Sequence, residues 1–313
     1  MELTEKLEPL IIFSAIILGL IFSKIQMIAQ NSDYLINIFL CLMLFGLFLE
    51  VPLKDIKNSF KNYKFTQTSL IINFIWTPLF GYFLGSLFLK GNIDILIGFF
   101  MLILTPCTDW YLIFTKLAKG DLTLSLSILP LNLILQILLL PVYLIIFTSG
   151  SMLNYTQLLY SLLIVIVIPF LLAQIIKYIL NNNLNKKLSK IFSNLEIWLL
   201  SLAVFCIFTS QGELLFNNLN SLIIIFIPLI LFFTINLILD LIISKKINFT
   251  YKEYASLTMT TFARNSPLAL AIAINSFPNN KLISIALIIG PLIELPVLYI
   301  VSKLCLKIKD LKF

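Results

Sequence analysis

The sequence predicts an all-α polytopic membrane protein, with ten transmembrane helices arranged as two inverted five-helix repeats. Three observations carry that prediction. The 313 residues are 60% hydrophobic and only 12% charged, with a mean hydropathy of +1.03. A soluble domain must cover itself with polar side chains and does not reach such values. Apolar stretches of about 20 residues, enough to cross roughly 30 Å of hydrocarbon as helices, recur from end to end. When these stretches are laid out as alternating spans, the lysines collect on one side.

Span one (9–24) follows "MELTEKLEPL", which is acidic where a secretory leader is basic, so the first apolar stretch is expected to stay as a helix. Span two (34–53) ends at a cluster of four lysines, Lys54, Lys57, Lys61 and Lys64. Span three (65–89) holds Trp76-Thr77-Pro78 inside an apolar run, and span four (93–118) is interrupted by "TPCTD". Span five (122–148) contains "LPVYLI". Spans six (156–180) and seven (191–211) are joined by a lysine-rich connection. Span eight (220–243) carries Pro228, span nine (253–277) is interrupted by "RNSP", and span ten (281–306) contains "LPVLYI".

Eighteen lysines lie on the side that holds both termini and four loops. Three, Lys24, Lys90 and Lys281, lie on the other, and Arg264 completes the 22 basic residues. The positive-inside rule then places both termini in the cytoplasm of a cell-membrane protein and requires an even number of spans. The net charge of +7 is a topology signal, so the expected partner is the lipid bilayer and not nucleic acid.

Four scattered cysteines without a C-x-x-C pair do not suggest a disulfide framework. The absence of histidine removes His-based metal sites, His proton relays and Ser-His-Asp catalysis. No cofactor and no metal is expected. An aspartyl intramembrane protease needs two facing aspartates. Asp109 is central in its span but Asp121 falls at a span edge, so an enzyme is not expected.

Five spans is an odd number, so two similar halves, about 9–148 and 156–306, must be inverted relative to each other. Matching features are "LPVYLI" with "LPVLYI", Pro78 with Pro228, and above all the interruptions of spans four and nine. Discontinuous helices at corresponding positions of inverted repeats point to the binding site of a secondary transporter. Proline removes a backbone donor, and freed backbone groups survive in a membrane only when packed in protein or facing a cavity. Thr105-Pro106 and Ser266-Pro267 each read as an N-cap followed by proline at the first helical position. Each break would then start a half-helix with its positive end toward the cavity. The substrate-binding candidates are therefore Thr105, Pro106, Cys107, Thr108, Asp109, Arg264, Asn265, Ser266 and Pro267.

Arg264 stands alone against 21 lysines. A basic residue at a helix centre costs roughly 2.5–3.5 kcal/mol on insertion scales, so it needs a partner or a wet cavity. Asp109 and Glu294 are the acids it could meet. Without histidine, proton coupling falls to these two carboxylates. Ser125, Asn132 and Gln136 share one face of span five and join them as coupling candidates, with that face toward the break in span four. Asn236 and Asp240 sit one turn apart in span eight, with Asp240 expected at the interface.

These motifs resemble the bile acid:sodium symporter and arsenical-resistance (arsenite efflux) permease superfamily. Pro106-Cys107-Thr108, followed by Gly120-Asp121, matches the arsenite-efflux pattern of span four. Gly290, Leu292, Ile293, Glu294, Pro296 and Val297 match that of span ten. The resemblance implies a panel domain and a core domain, the core containing crossed discontinuous helices four and nine. One departure marks a divergent, arsenic-resistance-like member: "ARNSPLALAIA" lacks the acid that the superfamily carries just after the break in span nine. Two substrates stay open. Arsenite or antimonite efflux driven by protons would use Cys107, since soft thiolates suit thiophilic centres and a helix N-terminus favours the thiolate. A small organic anion would instead use Arg264 and the half-helix N-termini. Sodium coupling is disfavoured by the resident cation.

Overall fold

The computed structural model describes residues 3–50, 61–107, 110–147, 160, 167–217 and 223–310. Among them are thirteen α-helices and no β-strand. In chain order they are α1 (Leu3–Phe22), α2 (Gln26–Glu50), α3 (Tyr63–Ile71), α4 (Thr77–Phe88), α5 (Ile93–Ile103), α6 (Trp110–Leu117) and α7 (Leu122–Phe147). Then follow α8 (Ile168–Ile179), α9 (Asn182–Asn217), α10 (Phe226–Ile247), α11 (Tyr251–Phe262), α12 (Ser266–Ser276) and α13 (Lys281–Asp310). A π-helical turn, Ile72–Trp76, joins α3 to α4 without a break in the rod.

Among the described residues, five helical stretches are long and apolar enough to cross a membrane: Tyr63–Phe88, Leu122–Phe147, Asn183–Ser210, Phe226–Ile247 and Lys281–Lys309. The bent pair Gln26–Ser32 and Tyr34–Leu49 makes a sixth. The expected spans four and nine are each divided into two helices, α5 with α6 and α11 with α12, that are too short to cross singly. Residues 156–159 and 161–166 of expected span six lie outside the described residues. Span seven starts nine residues earlier than hydropathy suggests, at Asn182 instead of 191. Lys186, Lys187 and Lys190 are good helix formers that extend the rod without adding apolar signal.

The chain divides into two compact units. The first is Met1–Val51, Leu153–Leu219 and Pro267–Ile288, and the second is Pro52–Met152, Asn220–Ser266 and Ile289–Phe313. The first unit is held by close helix approach at small residues. A Cβ on Gly19 of α1 would fall 2.7 Å from the Phe205 carbonyl of α9, and one on Gly46 of α2 would fall 2.8 Å from the Phe192 ring. Asn275 of α12 donates to Asn37 of α2 at 2.9 Å.

The second unit is tied by capping. Thr250 and Glu253 form a capping box at the start of α11, which satisfies orphan N–H groups of its first turn. Asn62 accepts from Phe65 N–H at the start of α3 and donates to Glu253 at 2.9 Å, so the two helix starts share one network. Pro78 deprives the Phe74 carbonyl of its helical donor, and the Tyr143 hydroxyl of α7 supplies one at 2.5 Å.

Gly120 and Asp121 form the corner between α6 and α7. Asp121 Oδ1 accepts from Thr123 N–H at 2.9 Å and Leu124 N–H at 3.3 Å, as a helix N-cap does. Its backbone exchanges hydrogen bonds with the Ser256 hydroxyl of α11 at 2.7 and 3.0 Å. A Cβ on Gly120 would lie 2.8 Å from Thr115 Cγ2 and 2.9 Å from Ser256 Oγ. Gly120→Ala is therefore expected to wedge α6 from α11 and to destabilise by about 1–3 kcal/mol, read by thermal melting in detergent. An unchanged melting point would show that the corner yields freely.

Candidate functional site

The two breaks meet. Thr105, Pro106 and Cys107 leave α5 as an extended segment, and Ala263, Arg264 and Asn265 leave α11 in the same way. They pair antiparallel, with Pro106 opposite Arg264. Cys107 N–H donates to the Ala263 carbonyl at 2.9 Å, and Asn265 N–H donates to the Thr105 carbonyl at 2.6 Å. Pro106 and Arg264 thus occupy the non-hydrogen-bonded pair of the bridge. A proline is tolerated there because its missing N–H is not asked for.

The same register frees the Arg264 N–H, a backbone donor that would cost about 1–3 kcal/mol if left buried and unpaired. Glu294 Oε1 of α13 accepts it at 2.7 Å. Glu294 and Arg264 are only 3% and 2% exposed. Close approach of α13 depends on Gly290, where a Cβ would fall 2.5 Å from Leu102 of α5 and 2.8 Å from Ser266 Oγ.

Carbonyl accounting at the two helix ends explains the arginine. The last carbonyls of a helix have no intrahelical donor. At the end of α5, the Thr105 hydroxyl turns back onto the Met101 and Leu102 carbonyls at 2.9 and 3.2 Å. Arg264 Nη1 donates to the Ile103 carbonyl at 3.0 Å. At the end of α11, Arg264 Nη2 donates to the Thr261 carbonyl, and Asn73 donates to the Thr260 carbonyl at 3.4 Å. Nη1 also reaches Asn73 Oδ1 at 3.4 Å, and the guanidinium carbon stands 5.0 Å from the centre of the Phe232 ring. Glu294, Asp240 and Cys107 lie within its Coulomb range.

Several expectations are corrected by this geometry. Thr105-Pro106 does not cap a new helix. Thr105 closes the end of α5, and Pro106 lies in the extended bridge. At the second break Ser266 is itself the first residue of α12, and Pro267 is the second. Asp240, expected near a span end, is fully buried in protein and accepts from the Thr261 hydroxyl at 2.6 Å. Its position facing α11, and not its distance along α10, decides its burial. Glu294 meets the backbone of Arg264, whereas hydrogen bonds from the guanidinium go to Asn73 and to carbonyls among the described residues. Thr108 and Asp109 lie outside the described residues.

Ser125 meets α6: its carbonyl accepts from the Tyr111 hydroxyl at 2.6 Å, and its hydroxyl lies 3.3 Å from that of Thr115. Asn132 and Gln136, 0% and 1% exposed, have no hydrogen-bond partner at either amide atom among the described residues. Such groups mark places where a ligand or water is needed. Sequence reasoning missed Asn73, although a lone asparagine four residues ahead of Thr77-Pro78 sits in a π-turn of the kind often found at functional sites. It also missed Thr261, which had no signal beyond being one hydroxyl among many in α11.

Apolar helices joined by two interlocked helix breaks around a buried arginine define a polytopic membrane protein of transporter type. Residues 37–218 match the model of the Sodium Bile acid symporter family, more than half of the chain, and the protein belongs to that family. It is 26% identical over 247 residues to Arsenical-resistance protein Acr3 of Corynebacterium glutamicum, covering 74% of this chain and 66% of that protein. Against Arsenical-resistance protein Acr3 of Alkaliphilus metalliredigens the identity is 26% over 286 residues, covering 86% of this chain and 80% of that protein. An uncharacterized transporter of Synechocystis sp., slr0944, is 23% identical over 343 residues, covering 98% and 89%.

Proposed function

We propose that the chain is a secondary active transporter of two inverted five-helix repeats that exports arsenite or antimonite at the expense of the proton gradient. Both termini would lie in the cytoplasm and the protein in the cell membrane. The observation that carries this reading is the placement of Cys107. Its backbone is fixed to Ala263 across the bridge, and its side chain is buried within Coulomb range of a guanidinium. A thiol so fixed offers the soft sulfur ligand that a thiophilic metalloid prefers. The likeness to two arsenical-resistance proteins supports the same substrate. A small organic anion is the second reading, and the arginine geometry weighs against it. Both terminal nitrogens of Arg264 are engaged with helix-end carbonyls, so its fork is not turned to a carboxylate.

The test is arsenite uptake by everted membrane vesicles under imposed proton or sodium gradients, with a panel of carboxylates alongside. Proton-driven arsenite uptake is expected, and Cys107→Ala is expected to reduce it to background while the melting point moves by less than about 2 kcal/mol equivalent. Undiminished arsenite flux in that variant would sink the thiol mechanism, and carboxylate uptake that depends on Arg264 would favour the second reading.

A further inference from the structure

We infer that the Arg264 guanidinium is a tethered cation occupying the position in which a transporter of this architecture would hold a free coupling cation. This rests on the transporter reading but not on its substrate. Half-helix C-terminal ends and unwound carbonyls are the groups that coordinate sodium in transporters with broken helices. Here α5 and α11 both end at the bridge, so two negative dipole ends converge. The oxygens they present, from Ile103 and Thr261, are each taken by one terminal nitrogen of Arg264. Asn73 adds a third oxygen at 3.4 Å, the Phe232 face covers the guanidinium at 5.0 Å, and the Glu294 carboxyl lies within Coulomb range.

That set of carbonyl, amide and carboxylate oxygens is hard-cation chemistry, yet the cation is covalently supplied. Arg264 Nε has no partner among the described residues, and the head is held at its far end by the carbonyls. The site thus stays filled whatever the ionic gradient, and the protein is sodium-independent.

The test is thermal melting of the purified protein in detergent, in choline, potassium or sodium chloride, with Arg264→Ala and Arg264→Lys beside the wild type. The wild-type melting point is expected to be the same in all three salts. Arg264→Ala is expected to melt lower by about 5 °C or more in choline, and to recover at least half of that loss with sodium or with methylguanidinium. Arg264→Lys keeps the charge but one ammonium cannot serve two carbonyls in the fork geometry. It is expected to fall between the others and to ignore sodium, which decides the matter if the alanine variant is not recovered folded. Stabilisation of the wild type by sodium would overturn the inference. So would an alanine variant that melts like the wild type or answers to no cation, or a lysine variant stabilised by sodium. None of these melts involves a transported solute, so a failure of arsenite uptake leaves them readable.

Discussion

Glu294→Ala is expected to destabilise the protein by about 3–5 kcal/mol, the range for removing one partner of a buried charged pair. Two losses combine. The Arg264 N–H, which the bridge register leaves without a backbone acceptor, loses Glu294 Oε1. The buried guanidinium also loses a counter-charge within its Coulomb range. Glu294→Gln separates structure from coupling. An amide oxygen still accepts the Arg264 N–H, so this variant should melt within about 2 kcal/mol of the wild type. It cannot take up or release a proton, so proton-driven flux should vanish. Thermal melts paired with vesicle uptake read both effects, and normal proton-driven uptake by the glutamine variant would remove Glu294 from the coupling scheme.

Asn132→Val combined with Gln136→Leu should dissociate stability from transport in the opposite sense. Both amides are buried and none of their four polar atoms has a partner among the described residues. Replacing unsatisfied buried polar groups by apolar ones of similar size is neutral or stabilising, so the double variant should melt at or above the wild-type temperature. If the amides serve a transported solute or its coupling proton, flux should fall by roughly tenfold or more, the equivalent of about 1.4 kcal/mol in a rate barrier. A destabilised double variant would show that the amides hold the helices together.

The positions of the breaks were legible in the sequence because proline and clustered polar residues cannot hide in an apolar run. "TPCTD" and "RNSP" fall where the helices stop. Their pairing was legible only as far as the correspondence of spans four and nine. That the two segments form a β-type bridge was not, because hydropathy records which residues leave the helix and not the register in which they meet. Arg264 was found through its rarity and Glu294 does meet it, at the backbone N–H, but the acceptors of its guanidinium were not foreseen. Carboxylates are visible in a sequence as candidates for an arginine, whereas the carbonyls of Ile103 and Thr261 belong to residues with no signature. The contact of Asp240 with Thr261 was illegible for a related reason: position along a helix is readable from sequence, but the neighbour a helix face meets is not. The helix starts at Asn62, Asp121 and Thr250 are local chemistry that the sequence does write out, though each lies too near a span edge for hydropathy to place it.

The bridge between Pro106 and Arg264 also sets a timetable for synthesis. The paired residues stand about 158 positions apart, an interval of about 10–30 s at ordinary elongation rates. Until the later segment is made, the Cys107 N–H and the Ile103 and Thr105 carbonyls lack the partners that they hold in the finished protein. Such groups cannot be left facing hydrocarbon, so water or the insertion machinery must attend them in the meantime. The earlier segment is therefore born incomplete, and the arginine that completes it arrives only after α11.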